Sequence, residues 1–201
     1  MADNFGIPQL IDYLTRMGLK LANVDQEKNF IELLFQGNDG QWRMVVGIQQ
    51  QEDARRLMLV APQIGAISSK KRLECLEALM AVNYRIAIGK FGLDLDDGEI
   101  RLEEAIPLAD NTITFEQFQL AFGAIVQTAM IYHSLLPRIV YNNMSVEEAL
   151  QACEDEFFQQ YSIEQLEPES SAPAPEAENA PELDVNDVLA EVTRMLKKHQ
   201  D

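Results

Sequence analysis

The sequence predicts an α+β domain with an antiparallel sheet packed on helices. Three observations carry this: a two-stranded hairpin between Asn83 and Pro107, a group of strand-like runs before it, and a long helix with complete start signals after it. In the hairpin, Phe91, Leu93 and Leu95 alternate with Gly92, Asp94 and Asp96, and Ile100 and Leu102 alternate with Arg101 and Glu103. Period-two alternation is the mark of strands buried on one face. Asp97-Gly98 between them supplies the positive φ angles of a tight type I′ turn.

The elements follow in order. Ile7, Leu10, Ile11, Leu14 and Met17 recur at helical spacing, with Pro8 in the first turn and Gly18 placed to stop the helix. Three strands come next. Residues 29–36 and 41–48 flank Gly37-Asn38-Asp39-Gly40, a hairpin signal, and residues 55–61 make the third, closed by Pro62. Ser68 or Ser69 caps a second helix in which Leu73, Leu76, Met80 and Asn83 share one side. After the hairpin, Thr114 and Gln117 form a capping box and Ile113 with Phe118 a hydrophobic staple. The helix they open carries a main stripe of Phe118, Phe122, Ile125, Ala129, Tyr132 and Leu136, and ends at Pro137. Leu120, Ile131 and Leu135 form a second stripe, so this helix needs cover on two sides: the sheet on one, a further helix or a partner subunit on the other. Ser145 and Glu148 open an acidic helix whose buried side is Val146, Leu150, Cys153 and Phe157.

Composition narrows the function classes. A chain of 201 residues has room for one core and an appendage, and its 47% hydrophobic and 24% charged residues are an ordinary globular balance. The net charge of −17 argues against phosphate backbones and anionic membranes as partners, since both demand clustered Lys and Arg. The two cysteines, Cys75 and Cys153, sit in helical stretches without a paired spacing and read as buried small hydrophobes. Residues 117–137 hold no Asp, Glu, Lys or Arg, but Gln117, Gln119, Gln127, Thr128, His133 and Ser134 interrupt them, which suits a buried helix better than a span of about 20 apolar residues. The N-terminus lacks a basic start and an apolar signal core, so the expected location is the cytoplasm.

From about Glu164 the composition changes. Residues 163–182 are rich in Pro, Ala, Ser and Glu and read as a disordered linker. Residues 163–201 carry ten acidic and three basic side chains, which is −7 of the −17. Residues 183–201 have helix signals again: Asp184 at the N-cap, Leu183 stapled to Val188, and Lys197 and Lys198 at the end. Val185, Val188, Leu189, Val192, Met195 and Leu196 make one stripe, the candidate partner-binding residues of a tethered amphipathic helix. The same stripe could equally fold back on its own domain.

Asp94-x-Asp96-Asp97-Gly98 lacks the spacing of a calcium loop, because position 5 is Gly98 and position 12 is Ala105. Glu99 and Glu103, with Arg101, alternate with apolar residues as a solvated strand face does; with Glu104 they make no convincing acid–base set. His133 stands beside Tyr132 with only His199 elsewhere, which is no ligand cluster. Lys70-Lys71-Arg72 is a basic run at a helix start, suited to solvent, an acidic partner or the acidic tail. No nucleophile elbow, phosphate loop or dinucleotide fingerprint occurs, so no catalytic, cofactor or metal residues are assigned.

The order α-β-β-β-α-β-β-α looks like the fold of type III secretion chaperones. Within it, the chain resembles the YbjN-type family, also called bacterial sensory transduction regulators. The residues that carry this are Asn83, the Gly89-Lys90-Phe91-x-Leu93-Asp94 stretch, the Asp97-Gly98 hairpin, Ile106-Pro107 and the Thr114-to-Leu136 helix, over roughly Phe5 to Tyr161. With the change of composition and the helix signals beyond it, the domain limits read as 1–162, 163–182 and 183–201, the last two outside the resemblance. The resemblance implies a non-enzymatic, regulatory or chaperone-like module that holds a protein partner in a bacterial cytoplasm, commonly as a homodimer. A small-molecule sensor or enzyme with a pocket beneath the sheet is the alternative.

Overall fold

The computed structural model describes residues 5–164 apart from 38–39, 53, 68 and 109–110. The elements are α1 (Ile7–Arg16), β1 (Leu21–Asp25), β2 (Phe30–Gly37), β3 (Gly40–Gln51), β4 (Ala54–Ala66), α2 (Arg72–Arg85), β5 (Lys90–Leu93), β6 (Glu99–Pro107), α3 (Phe115–Tyr132), α4 (Leu135–Val140) and α5 (Val146–Glu164). All six strands form one antiparallel sheet in the order β1-β2-β3-β4-β6-β5. The helices lie on one face, and the α+β class is as the sequence indicates.

Where the sequence suggested three strands before the second helix, there are four. The added strand is β1, whose pairing with β2 shifts register between Leu21 and Asn23. Leu21 and Val24 are thereby opposite Leu33 and Ile31 on the inner face, at a spacing that breaks alternation. Pro62 does not close β4 either. The ladder to β6 is interrupted between Ala61 and Gly65, Gln63 takes a φ of 52°, and its N–H donates to Glu99 Oε1 at 2.9 Å. Pairing then resumes at Gly65 with Ile100. A bulge absorbs the missing proline N–H while the strand continues.

The β5–β6 connection also differs from a type I′ turn at Asp97-Gly98. Leu93 pairs with Ile100, Asp94 N–H donates to Glu99 O, and Gly98 N–H donates back to Asp94 O. Only Gly98 has positive φ, at 79°. The loop therefore spans 95–98, held by Asp94 Oδ1 on Asp96 N–H and Asp97 Oδ1 on Glu99 N–H. Leu95 belongs to this loop and is exposed.

The start of the long helix matches its signals: Thr114 Oγ1 accepts from Gln117 N–H, and Gln117 Oε1 from Thr114 N–H. Its end does not run to Pro137. α3 stops at Tyr132 and α4 starts at Leu135, with Pro137 in its first turn. A proline at 137 would clash with the carbonyl of residue 133 in a continuous helix and has no N–H to offer it, so the break precedes the proline. α3 packs on β4 and β6 and on α5, which buries Ile131 of its second stripe, and Leu135 is buried at the start of α4, while Leu120 stays 41% exposed. Phe118 and Ile125 meet a fully buried inner sheet face that includes Ile31, Leu33, Leu57, Leu59, Ile100 and Leu102.

α2 is oriented opposite to its most apolar-looking side. Cys75, Ala78, Leu79 and Val82 are buried, whereas Leu73 and Met80 are 75% and 66% exposed. Ser69 does not cap it: Ser69–Lys71 form a 3₁₀ turn and the N-cap is Lys71, while Ser68 lies outside the described residues. Asn83, also from that side, has a specific task. Its Nδ2 donates to Phe91 O at 3.0 Å and its Oδ1 accepts from Phe91 N–H at 2.7 Å. The side chain thus pairs with edge strand β5 as a neighbouring strand would. Asn83→Ala is expected to cost about 1–3 kcal/mol in chemical denaturation, and Asn83→Asp, which keeps only the acceptor, an intermediate amount. Equal midpoints for Asn83→Ala and the parent would remove this role.

Candidate functional site

Among the described residues, the helices pack on the inner sheet face and none covers the outer face. Pairing places Phe30 opposite Gly47, Val45 opposite Val60, Gly47 opposite Met58, and Met58 opposite Ala105, all on the outer side. Together they make an apolar strip across β2, β3, β4 and β6. Gly47 forms its floor: a Cβ there would lie 2.9 Å from Asn29 O and 3.1 Å from Phe30 Cβ. The ring-bearing residue and its turn can settle against the sheet because that position has no side chain.

This strip lies in a trough of about 700 Å³ whose rim is charged. Lys28, Arg56, Lys90 and Arg101 line it, against two carboxylates, Glu103 and Glu104. Both carboxylates are engaged: Glu103 pairs with Arg101 at 3.0 Å, and Glu104 accepts from Gly89 N–H at 2.6 Å. Cations therefore exceed carboxylates here, in a chain whose net charge is −17. The third carboxylate weighed from the sequence, Glu99, accepts from the Gln63 bulge N–H. All three hold backbone or a neighbouring cation, which suits a structural role better than proton transfer.

Among the described residues, the trough lining contains no Cys, His, Ser, Thr or Tyr. The cysteines lie on the helix side, free and buried, and burial pushes both thiols up, Cys153 despite its contact with Ser134. Both behave as core residues, as their sequence setting indicated. His133 Nδ1 meets Met130 O at 2.8 Å, a helix-end contact. Tyr132 is raised well above the ordinary phenol range, first by burial and then by Glu154, which accepts its hydroxyl at 2.9 Å. Arg85 of α2 also pairs with Glu154, so this group ties α2, α3 and α5 together. Phe115–Val140 is apolar and long enough to cross a membrane by composition, but in this fold it supplies the core residues of α3 and α4.

The sequence pointed to Val185, Val188, Leu189, Val192, Met195 and Leu196 for partner binding; these lie outside the described residues. It did not single out Phe30, Val45, Met58, Val60 and Ala105. The available signal was that strands 29–36, 41–48 and 55–61 are apolar on both faces, yet all the helices pack on one.

A family model described as "Putative bacterial sensory transduction regulator", YbjN, matches residues 8–134. The chain belongs to the YbjN family. The YbjN match runs from within α1 to just past α3, short of the Phe5-to-Tyr161 span of the sequence resemblance, and leaves α4 and α5 outside. Among solved structures, the chain is similar to the crystal structure of YbjN from E. coli, described as "a putative transcription regulator". The two share 14% identity with a TM-score of 0.46, over 69% of this chain and 94% of that one. Among curated proteins there is no match.

Proposed function

We propose that this YbjN-family chain is a non-enzymatic regulatory module of the bacterial cytoplasm that holds a segment of a protein partner on its outer sheet face. The uncovered apolar strip of Phe30, Val45, Met58, Val60 and Ala105 carries the reading. A contiguous apolar patch rimmed by polar groups marks an interaction surface. An open trough suits an elongated segment, whereas small ligands favour enclosed sites that bury most of their surface. With Arg101 paired to Glu103 and Lys28 to Asp25, Arg56 and Lys90 leave the rim net cationic, which favours a segment with acidic residues flanking apolar ones. The helix side of the sheet is filled by fully buried side chains, which counts against a pocket beneath the sheet.

In-cell photocrosslinking from position 58, with exposed Leu95 as the control position, tests this. Position 58 is expected to capture a defined protein partner that Leu95 does not, and Val60→Glu is expected to abolish the capture in a chain whose far-UV spectrum is unchanged. Equal captures from both positions, or capture indifferent to Val60→Glu, would remove the sheet face from the proposal.

A further inference from the structure

α2 carries a second apolar stripe that the domain does not use. Leu73, Met80 and Tyr84 are 75%, 66% and 93% exposed, at spacings of seven and four residues, and half-buried Leu76 flanks them. These spacings place them on one side of the helix, opposite Cys75, Ala78, Leu79 and Val82, with exposed Glu77 on the same side between Leu73 and Met80. Eleven residue steps from Leu73 to Tyr84 make a stripe about 16 Å long. Apolar side chains scattered singly on a surface need no explanation, but three large ones aligned on one helix face mark a docking face.

We propose that the occupant is residues 183–200 of the same chain, docked as a helix along α2. This proposal is independent of the sheet-face reading. Three observations favour it. The first is length: the apolar stripe from Val185 to Leu196 also spans eleven residue steps. The second is reach. α5 packs directly against α2, with Glu154 on Arg85, and ends at Glu164. From there residues 165–182 connect to the segment, and a chain of that length can reach about 55 Å in polyproline form. A tether that spans such a gap gives an effective concentration in the millimolar range, well above what a second copy or an outside partner supplies. The third is charge. Lys70, Lys71 and Arg72 immediately precede Leu73, three cations of which Lys71 also pairs with Glu74 at 3.5 Å, while Asp184, Asp187 and Glu191 occupy the first half of the segment and Arg194, Lys197 and Lys198 the second. Attraction between these ends sets a parallel alignment, with the acidic start of the segment beside the basic start of α2.

Hydrogen–deuterium exchange on the full-length chain tests the proposal, read over residues 185–198 at two widely separated protein concentrations. Exchange is expected to be about tenfold or more slower than for an unstructured chain, and the same at both concentrations. L73E and M80E, both at exposed positions, are expected to return these amides to unprotected rates while leaving protection of α3 unchanged. L189E, placed in the segment itself, should do the same. Unprotected amides in the parent would overturn the proposal. So would protection that grows with concentration, which would assign the stripe to a second copy, and so would protection indifferent to L73E and M80E, which would place the segment elsewhere.

Discussion

Phe118→Ala is expected to destabilise the domain by about 3–5 kcal/mol, the largest effect of any single core truncation argued from this fold. Phe118 is fully buried near the start of α3, with its ring 5.5 Å from Tyr13 and 5.6 Å from Phe122. It therefore joins α1 to the long helix as well as packing in the core, and Ala would leave a cavity that neither neighbour can close. Tyr13 itself is anchored by its hydroxyl, which donates to Ile113 O at 3.0 Å, so it is not free to swing into the space. Phe118→Leu, which keeps most of the volume, is expected to cost under about 1.5 kcal/mol. Urea denaturation of the three chains measures this. A loss below about 2 kcal/mol for the Ala variant would mean that the surroundings collapse onto the site.

Gly89→Ala is expected to cost about 2–4 kcal/mol, from backbone strain and overpacking together. Gly89 adopts a φ of 83°, and a Cβ there would sit 2.4 Å from Ile125 Cδ1 on fully buried α3 packing. Its N–H is held by Glu104 Oε2 at 2.6 Å, so the backbone cannot easily turn away. Gly18 separates the two causes. It has a similar φ of 72° but nothing within 4 Å of its Cβ position, so Gly18→Ala should cost only about 1 kcal/mol of conformational strain. Ile125→Val removes the atom that clashes with the new Cβ. Its own cost is about 0.5–1.5 kcal/mol, yet combined with Gly89→Ala the total should be smaller than the sum of the two single changes. Additive costs in that double-mutant cycle would show that the clash is absent.

Much of the fold could be read because local chemistry and global packing agree. The capping boxes at Thr114 and Ser145 form as their spacing indicates, and Ser145 N–H and Glu148 N–H are both satisfied by the reciprocal side chains. Alternation located the β5–β6 hairpin but not its turn. A shift of two residues in register keeps every side chain on its own face, so the pattern Phe91, Leu93, Ile100, Leu102 is equally compatible with a two-residue or a four-residue loop. The choice was made by the Asx bonds of Asp94 and Asp97 and by leaving Leu95 outside the sheet.

The candidate site was harder to read for a related reason. Val45, Met58 and Val60 stand in apolar runs that look the same whether both faces of a sheet are covered or one is left bare. Only the placement of all the helices on one side exposes them. The same ambiguity affected α2. Its larger apolar residues, Leu73, Leu76 and Met80, suggested the buried face by size, yet α2 meets α4, α5 and β5 through Cys75, Ala78, Leu79 and Val82. A face with small residues such as Cys75 and Ala78 allows the helix to approach its neighbours closely, and the larger residues are left for another contact.

By itself the sequence determined the α+β class, the capped starts of α3 and α5, the existence of both hairpins and the family, because these rest on contacts between residues near in the chain or on a repeat along it. Tertiary structure alone decided the extra strand β1, the bulge that carries β4 past Pro62, the break before Pro137, and which faces of the sheet and of α2 remain open. Those outcomes depend on what lies opposite each residue in space. An apolar side chain has the same local preferences whether it is covered by its own domain or left for another surface to cover.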